Sequence, residues 1–399
     1  MELDLIRRLS QPADTKVILC VLDGLGGLPG PRGRSELEEA DTKNLDRLAE
    51  QGSVGRTLPV GHGVTPGSGP GHIALFSYDP LTYEIGRGAL EGTGIGFELG
   101  PNDIAARGNL CNLDDAGLIT DRRAGRMPTE QTAEVCALLR EIKLPGVEVF
   151  VEPVQDQRFV LVLRGEGLSD QLVETDPQKE GVAPIKATAT SPAGERTAQL
   201  AQQWIAAAEA MLKGRERGNG VLLRGWSPRP DMPPFPELWK LRAAAVTVYP
   251  MYRGVAKLCG MDSIEGAHNF AEEIELVKKH WNDYDFFFVH YKYTDSAGED
   301  GDFRRKQEAI TAFDQALPGL LDLKPNVLVV TGDHSTPASM AAHSWHPVPL
   351  LIWGDLVRTD SVTRFSESQA AMGEIGTILA KDVLPIAFAH AGRLAKYGA

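Results

Sequence analysis

The segment KVILCVLDGLGG, residues 16–27, decides how the chain is read. Lys16 to Leu22 is an apolar, β-rich run that stops abruptly at Asp23-Gly24. A strand with one wet face alternates polar and apolar residues, whereas an unbroken apolar run is buried on both faces, as in a parallel sheet covered by helices. A glycine-rich loop follows as far as Gly33. Residues 42–51 then put Leu45 and Leu48 on one helical face, with Asp41 and Thr42 as the cap and Gly52 as the stop. Strand, loop and helix in that order predict an α/β fold.

The same pattern returns far downstream. DFFFVH (285–290), NVLVVT (326–331) and VPLLIW (348–353) are short apolar runs separated by helical stretches, of which 303–316 is the best formed. From 116 to 214 the texture differs, with helices expected over 129–139 and 195–213 and strands over 147–151 and 159–164. The expected architecture is a doubly wound, mostly parallel sheet formed by 1–115 and 215–399, with a smaller α+β domain, 116–214, inserted into it.

Composition narrows the functions. Across 399 residues, 41 Lys and Arg face 54 Asp and Glu, a net charge of −13. Such a chain repels nucleic acid and anionic membranes at long range, so any anionic ligand must be attracted locally. Cys20, Cys111, Cys136 and Cys259 show no C-x-x-C spacing and read as buried thiols of a reducing compartment. The amino terminus lacks the order of a secretory signal, and no window has the apolar length of a membrane span, so a cytoplasmic location is expected.

In a parallel sheet, ligands collect beyond the carboxyl ends of the strands. The polar residues there are acids and histidines: Asp23, Asp295, the adjacent Asp333 and His334, then His343 and His346 ahead of the last strand. By itself Asp23-Gly24 is more often a plain turn. As a set, carboxylates and imidazoles converging from separate strands build a two-metal site for phosphate chemistry. Ser68, in TPGSGPGH, has a proline two residues on and an apolar run after it, which places it at a helix amino terminus. Free N–H groups there stabilise an alkoxide and a bound phosphate, although most serines so placed are simple caps. Arg107, Arg122, Arg123, Arg126, Arg253 and Lys257 supply local positive charge for a small anion.

Together, VLDGLGG with Asp23, TPGSGPGH with Ser68, the D-x-x-x-E segment from Asp295 to Glu299, VTGDHSTP with Asp333 and His334, and AHSWHPVP with His343 closely resemble the cofactor-independent (2,3-bisphosphoglycerate-independent) phosphoglycerate mutases of the archaeal type, members of the alkaline-phosphatase-like superfamily. The resemblance extends through DRRAGR, RFVLVLRG and YPMYRGVAKLCGM. It implies interconversion of 3-phosphoglycerate and 2-phosphoglycerate, with Ser68 as the nucleophile that becomes phosphoserine. It further implies two divalent ions, Mn²⁺ foremost and Mg²⁺, Co²⁺ or Zn²⁺ as alternatives. One would be held by Asp23, Ser68, Asp333 and His334, the other by Asp295, Glu299 and His343. Glu299 departs from the family, which usually has histidine there; a carboxylate adds about one unit of negative charge and favours harder cations. His346 stands where the family more often has Asp or Asn and is a candidate substitute ligand.

The resemblance gives the inserted domain the task of closing over the substrate, with Arg122, Arg123, Arg126 or Arg158 gripping the carboxylate. A base is needed for the glycerate hydroxyls, and Asp121 and His62 are the candidates. A metal-dependent phosphatase, another phosphomutase, or a non-catalytic binding relative are the alternatives, and the intact insert disfavours simple hydrolysis. The expected partner is a small phosphorylated metabolite, with neither nucleic acid nor membrane, and the expected assembly is a monomer or small homo-oligomer.

Overall fold

The computed structural model describes residues 1–398. They divide into two compact units, one comprising Met1–Glu84 and the chain from Met232 onward, the other Ile85–Asp231. Among the described residues, strands β1 (Val17–Leu22) and β2 (Ser53–Leu58) precede the second unit. Strands β3 (Asp103–Leu113), β4 (Ile119–Asp121), β5 (Glu148–Pro153), β6 (Arg158–Arg164) and β7 (Gly220–Pro228) lie within it. Strands β8 (Ala243–Val246), β9 (Asp262–Ile264), β10 (Phe286–Tyr291), β11 (Val327–Thr331), β12 (Val348–Gly354) and β13 (Gly376–Leu379) follow.

The first unit is built on an eight-stranded, mostly parallel sheet in the order β13-β2-β12-β11-β1-β10-β8-β9. The opening strand β1 sits in the middle, parallel to β10 and β11 on either side. Every residue of these three strands is buried, which is why each reads as an unbroken apolar run. Leu45 and Leu48 of the helix Lys43–Gln51 and Ile310 and Phe313 of the helix Phe303–Ala316 pack into the same core. Each such side chain contributes about 1.5–3 kcal/mol of apolar burial. The carboxyl ends of β1, β10 and β11 therefore share one edge of the sheet. β12 runs antiparallel to β11, so the chain re-enters the sheet at that same edge.

The second unit carries an antiparallel sheet in the order β4-β3-β6-β5, with β7 paired to β3. The helices Thr129–Leu139 and Glu195–Leu212 pack on it through Val135, Leu139, Trp204 and Leu212. Contacts place the limits of this unit at 85 and 231, where the sequence expectation places 116 and 214. The difference arises because β3 and β7, which form a ladder of their own, belong to its sheet. Among the described residues no helix is long and apolar enough to cross a membrane.

Candidate active site

At the shared edge of the first unit, the strand ends deliver their polar residues to one place. Asp23 follows β1, the helix Tyr293–Glu299 after β10 carries Asp295, and Asp333 and His334 follow β11. Asp23, Asp333 and His334 are fully buried, and one donor atom from each lies within 4.8 Å of the others. Asp295, His334 and His343 form a second set meeting the same limit. Gly24, at φ +63°, lets the chain leave β1 beneath this cluster, for a Cβ there would lie 2.4 Å from Thr336 Oγ1.

Ser68 is the first residue of the helix Ser68–Leu75, as its sequence context predicts. Its Oγ lies 3.2 Å from His334 Nε2, which is itself 3.2 Å from Asp23 Oδ1 and 3.2 Å from Asp333 Oδ2. Gly71 lets the helix approach the ligand loop, since a Cβ there would lie 2.3 Å from the Asp333 carbonyl oxygen. His343 Nδ1 lies 3.0 Å from the Pro66 carbonyl oxygen. That contact directs Nε2 toward Asp295 Oδ1 and Glu299 Oε1, each at 3.6 Å.

Burial opposes charge on these carboxylates, and the neighbouring groups offset it. For Asp23, the Lys292 ammonium together with His290 and His334 outweighs burial and holds the carboxyl well below the usual carboxylate range. Burial pushes the Asp295 carboxyl up despite Lys292. Lys292 Nζ donates to Asp23 Oδ2 at 2.9 Å and also to Asp295 Oδ2, so one ammonium joins the two donor sets. Asp23 Oδ1 and Asp333 Oδ2 are buried and accept no hydrogen bond. Buried carboxylate oxygens without donors, grouped with imidazole nitrogens, fit oxygen- and nitrogen-coordinated divalent cations.

The second unit contains a cavity of opposite character, about 540 Å³ in volume. Arg87, Arg107, Arg122, Arg123, Arg126, Arg158 and Arg224 line it. The acids around them neutralise only part of that charge: Arg107 Nε is 3.1 Å from Glu91, Arg122 Nη2 is 2.6 Å from Asp176, and Arg158 Nη2 is 3.6 Å from Asp156. Burial and the crowding of like charges lower the Arg107 pKa to about 10 despite Glu91. Arg224 Nε is buried without a hydrogen-bond partner, which leaves a donor available to an anion.

The structure thus groups Asp23, Ser68, Asp295, Asp333, His334 and His343 in the first unit, with the exposed Glu299 at the edge of the second donor set. It groups Arg107, Arg122, Arg123, Arg126 and Arg158 in the second unit. Arg253 and Lys257 lie in the first unit, where both pair with Glu265. Asp121 accepts from the Arg123 and Gly125 N–H groups, which occupies both its oxygens. His62 is exposed, and His346 turns Nδ1 toward Ser344 Oγ at 3.0 Å.

Residues that sequence reasoning missed include Lys292, Tyr252, His72 and His290. Tyr252 donates to Asp23, His72 Nδ1 lies 3.2 Å from Asp333 Oδ2, and His290 Nε2 lies 3.3 Å from Asp23 Oδ2. Lys292 and His290 stand three and five residues before Asp295, in the strand end already under scrutiny, and were legible there. Arg87 and Arg224 were missed in the cavity because they stand outside the DRRAGR cluster.

Comparison with known proteins bears on this arrangement. The sequence profile of 2,3-bisphosphoglycerate-independent phosphoglycerate mutase matches residues 49–217. A probable 2,3-bisphosphoglycerate-independent phosphoglycerate mutase of Thermotoga neapolitana is 48% identical over 396 residues, covering 99% of this chain and 98% of its own. A probable enzyme of the same name from Thermus thermophilus is 48% identical over 400 residues, covering 99% and 98%. Among solved structures, the cofactor-independent phosphoglycerate mutase of Thermoplasma acidophilum is similar with a TM-score of 0.72 at 30% identity, covering 94% of this chain and 100% of that one.

Proposed function

The chain belongs to the family of 2,3-bisphosphoglycerate-independent phosphoglycerate mutases, and from that membership we propose which of its residues carry the reaction. The enzyme interconverts 3-phosphoglycerate and 2-phosphoglycerate and binds divalent metal. The observation that carries the residue assignment is Ser68 Oγ at a helix amino terminus, 3.2 Å from His334 Nε2 in a cluster of buried carboxylates and imidazoles.

In this assignment Asp23, Ser68, Asp333 and His334 hold one cation, while Asp295 and His343 hold the other with Glu299 beside them. Mn²⁺ is the ion proposed, because the donors are oxygen and imidazole nitrogen with no thiolate. When bound, the two ions lower the pKa of the Ser68 hydroxyl and offset charge on the phosphoryl oxygens. Ser68 Oγ attacks phosphorus in line, and the first backbone N–H groups of its helix favour the phosphate that arrives there. As the bond from Ser68 Oγ to phosphorus forms, the bond from phosphorus to the substrate oxygen breaks, so phosphorus rests on the enzyme as phosphoserine and the departing glycerate oxygen takes up the proton given up by Ser68 to become a free hydroxyl. Its other hydroxyl later attacks phosphoserine, returning the phosphate to the neighbouring carbon and regenerating Ser68.

Between these two attacks glycerate must be held and water excluded. We assign that task to the insert as the substrate-closing domain, with Arg107, Arg122, Arg123, Arg126 and Arg158 as its grip on the carboxylate. Arg253 and Lys257, from the first unit, complete the proposed cationic set. The net charge of −13 and the four buried free cysteines support a cytoplasmic enzyme, proposed as a monomer or small homo-oligomer.

An enolase-coupled assay of metal-stripped protein refilled with Mn²⁺, Mg²⁺ or Zn²⁺, with free phosphate followed in parallel, tests the assignment. Metal-dependent turnover without added 2,3-bisphosphoglycerate, lost in Ser68→Ala, is the expected result. Full turnover in Ser68→Ala would remove the nucleophile from the scheme.

A further inference from the structure

The helix Phe303–Ala316 contributes a lysine that the reaction scheme does not use. Lys306 has no exposed surface, and its Nζ donates to the carbonyl oxygens of Gly24 at 2.8 Å, Gly26 at 2.9 Å and Thr336 at 2.8 Å. An ammonium has three protons, and all three are committed to backbone carbonyls. Gly24 and Gly26 belong to the loop that begins with Asp23; Thr336 belongs to the loop that begins with Asp333 and His334. One side chain thus ties together the two loops that supply the whole Asp23, Asp333 and His334 donor set.

The surroundings show a built arrangement. Thr336 N donates to the Gly26 carbonyl at 3.0 Å, and Thr336 Oγ1 donates to Asp295 Oδ1 at 2.7 Å while lying 2.9 Å from His334 Nδ1. The lock therefore reaches the second donor set as well. Two further acids brace the same loops from outside: Glu36 accepts from the Ala338 N–H at 2.7 Å, and Glu367 accepts from the Gly27 N–H at 2.9 Å. Burial lowers the Lys306 pKa, and the Glu36 and Glu367 carboxyls oppose that shift without contacting the ammonium directly. Burying a lysine is costly unless its donors are all hydrogen-bonded, and three converging carbonyls are the coordination a structural cation would receive.

We propose that Lys306 is a positioning residue whose tethered ammonium fills a cation site between the two ligand loops, fixing the spacing at which they bind divalent metal. The proposal rests on the metal-site assignment above. It concerns neither substrate contact nor proton transfer.

The test is calorimetric titration of metal-stripped protein with Mn²⁺, comparing wild type, Lys306→Met and Lys306→Ala, with far-UV circular dichroism as the control for folding. Lys306→Met keeps the volume and removes the donors; its Mn²⁺ affinity is expected to fall about 10- to 100-fold, the range typical for residues that orient metal ligands. In Lys306→Ala, ammonium chloride is expected to restore affinity toward wild type, whereas tetramethylammonium chloride, too large for three converging carbonyls, is not. Wild-type affinity in a folded Lys306→Met overturns the proposal. So does a loss in Lys306→Ala that ammonium does not reverse. If neither variant folds, Glu367→Gln decides, with weaker Mn²⁺ binding expected and unchanged binding contradicting it. A wild type that binds no divalent cation would instead defeat the metal-site assignment itself.

Discussion

The carboxylate–imidazole cluster of the first unit and the arginine cavity of the second solve the same electrostatic problem in opposite ways. In the cluster, each acid is placed by the end of a buried strand, and the like charges are balanced internally by Lys292 and by imidazoles. In the cavity, seven guanidinium groups project from β3, β6, β7, the turn after β4 and the start of the helix Arg87–Gly94, with Glu91, Asp176 and Asp156 neutralising only part of their charge. Like charge is offset by internal partners in one and left in excess in the other. An excess of positive charge in a cavity recruits a mobile anion, while a rigid, partly balanced cluster with unpartnered oxygens selects cations by geometry. The division suits the proposed assignment, in which the cluster would hold phosphorus and the cavity would hold glycerate while it turns.

The hardest way to break this division is to remove a ligand. In Asp333→Ala, divalent-cation affinity is expected to fall by more than about 100-fold, beyond the range seen for residues that merely orient ligands, with turnover falling to background. Binding of 3-phosphoglycerate to the metal-stripped protein, measured by calorimetry, is expected to persist. Loss of both would show that the two regions do not work independently. Arg122→Met probes the opposite side. Losing charge-assisted hydrogen bonds worth about 1.5–3 kcal/mol corresponds to a rise in KM of roughly 10- to 100-fold. Its Mn²⁺ titration is expected to match wild type, and an unchanged KM would exclude Arg122 from substrate binding.

Legibility in the sequence follows the same contrast. The cluster was readable because parallel strands buried on both faces announce themselves as apolar runs, and Asp23, Asp333 and His334 are the first polar residues beyond them. Ser68 and the helix Phe303–Ala316 were readable from proline, glycine and apolar spacing. Lys306 was not, for a lysine in an amphipathic helix is ordinarily solvated, and only the folded loops reveal three carbonyls around it. The insert was harder to delimit, since β3 and β7 are joined only through long-range antiparallel pairing. Arg224 enters the cavity through that same pairing, opposite Arg107, and Arg87 from the start of the helix Arg87–Gly94, so no local motif announces them.

Glu299 sharpens the comparison with a smaller effect. Its carboxylate is 3.6 Å from His343 Nε2 and, outweighing burial together with the Pro66 carbonyl, raises the His343 pKa to about 9. Glu299→His removes one negative charge and offers a softer donor, so preference for Zn²⁺ over Mg²⁺ is expected to rise by about tenfold. Competitive titration of the stripped protein with the two ions measures it. An unchanged ratio would place Glu299 outside the coordination sphere.

The smallest expected effect concerns the balance within the cavity. Asp176 is buried, which alone would raise its pKa, but the Arg122 guanidinium holds the carboxyl below its ordinary value. A carboxyl depressed in the folded state stabilises the protein above its unfolded pKa of about 3.9, and that stabilisation is lost as pH falls through the lower folded value. Asp176→Asn is therefore expected to cost about 1.5–3 kcal/mol at pH 7, the range for a hydrogen bond to a charged group. The difference from wild type is expected to shrink as pH drops below about 4. Urea unfolding of both proteins across pH 3–7 reads this directly. A difference that does not change with pH would mean that Asp176 serves as a hydrogen-bond acceptor for Arg122 and not as its counter-charge. The excess positive charge available to glycerate would then be smaller than the count of arginines implies.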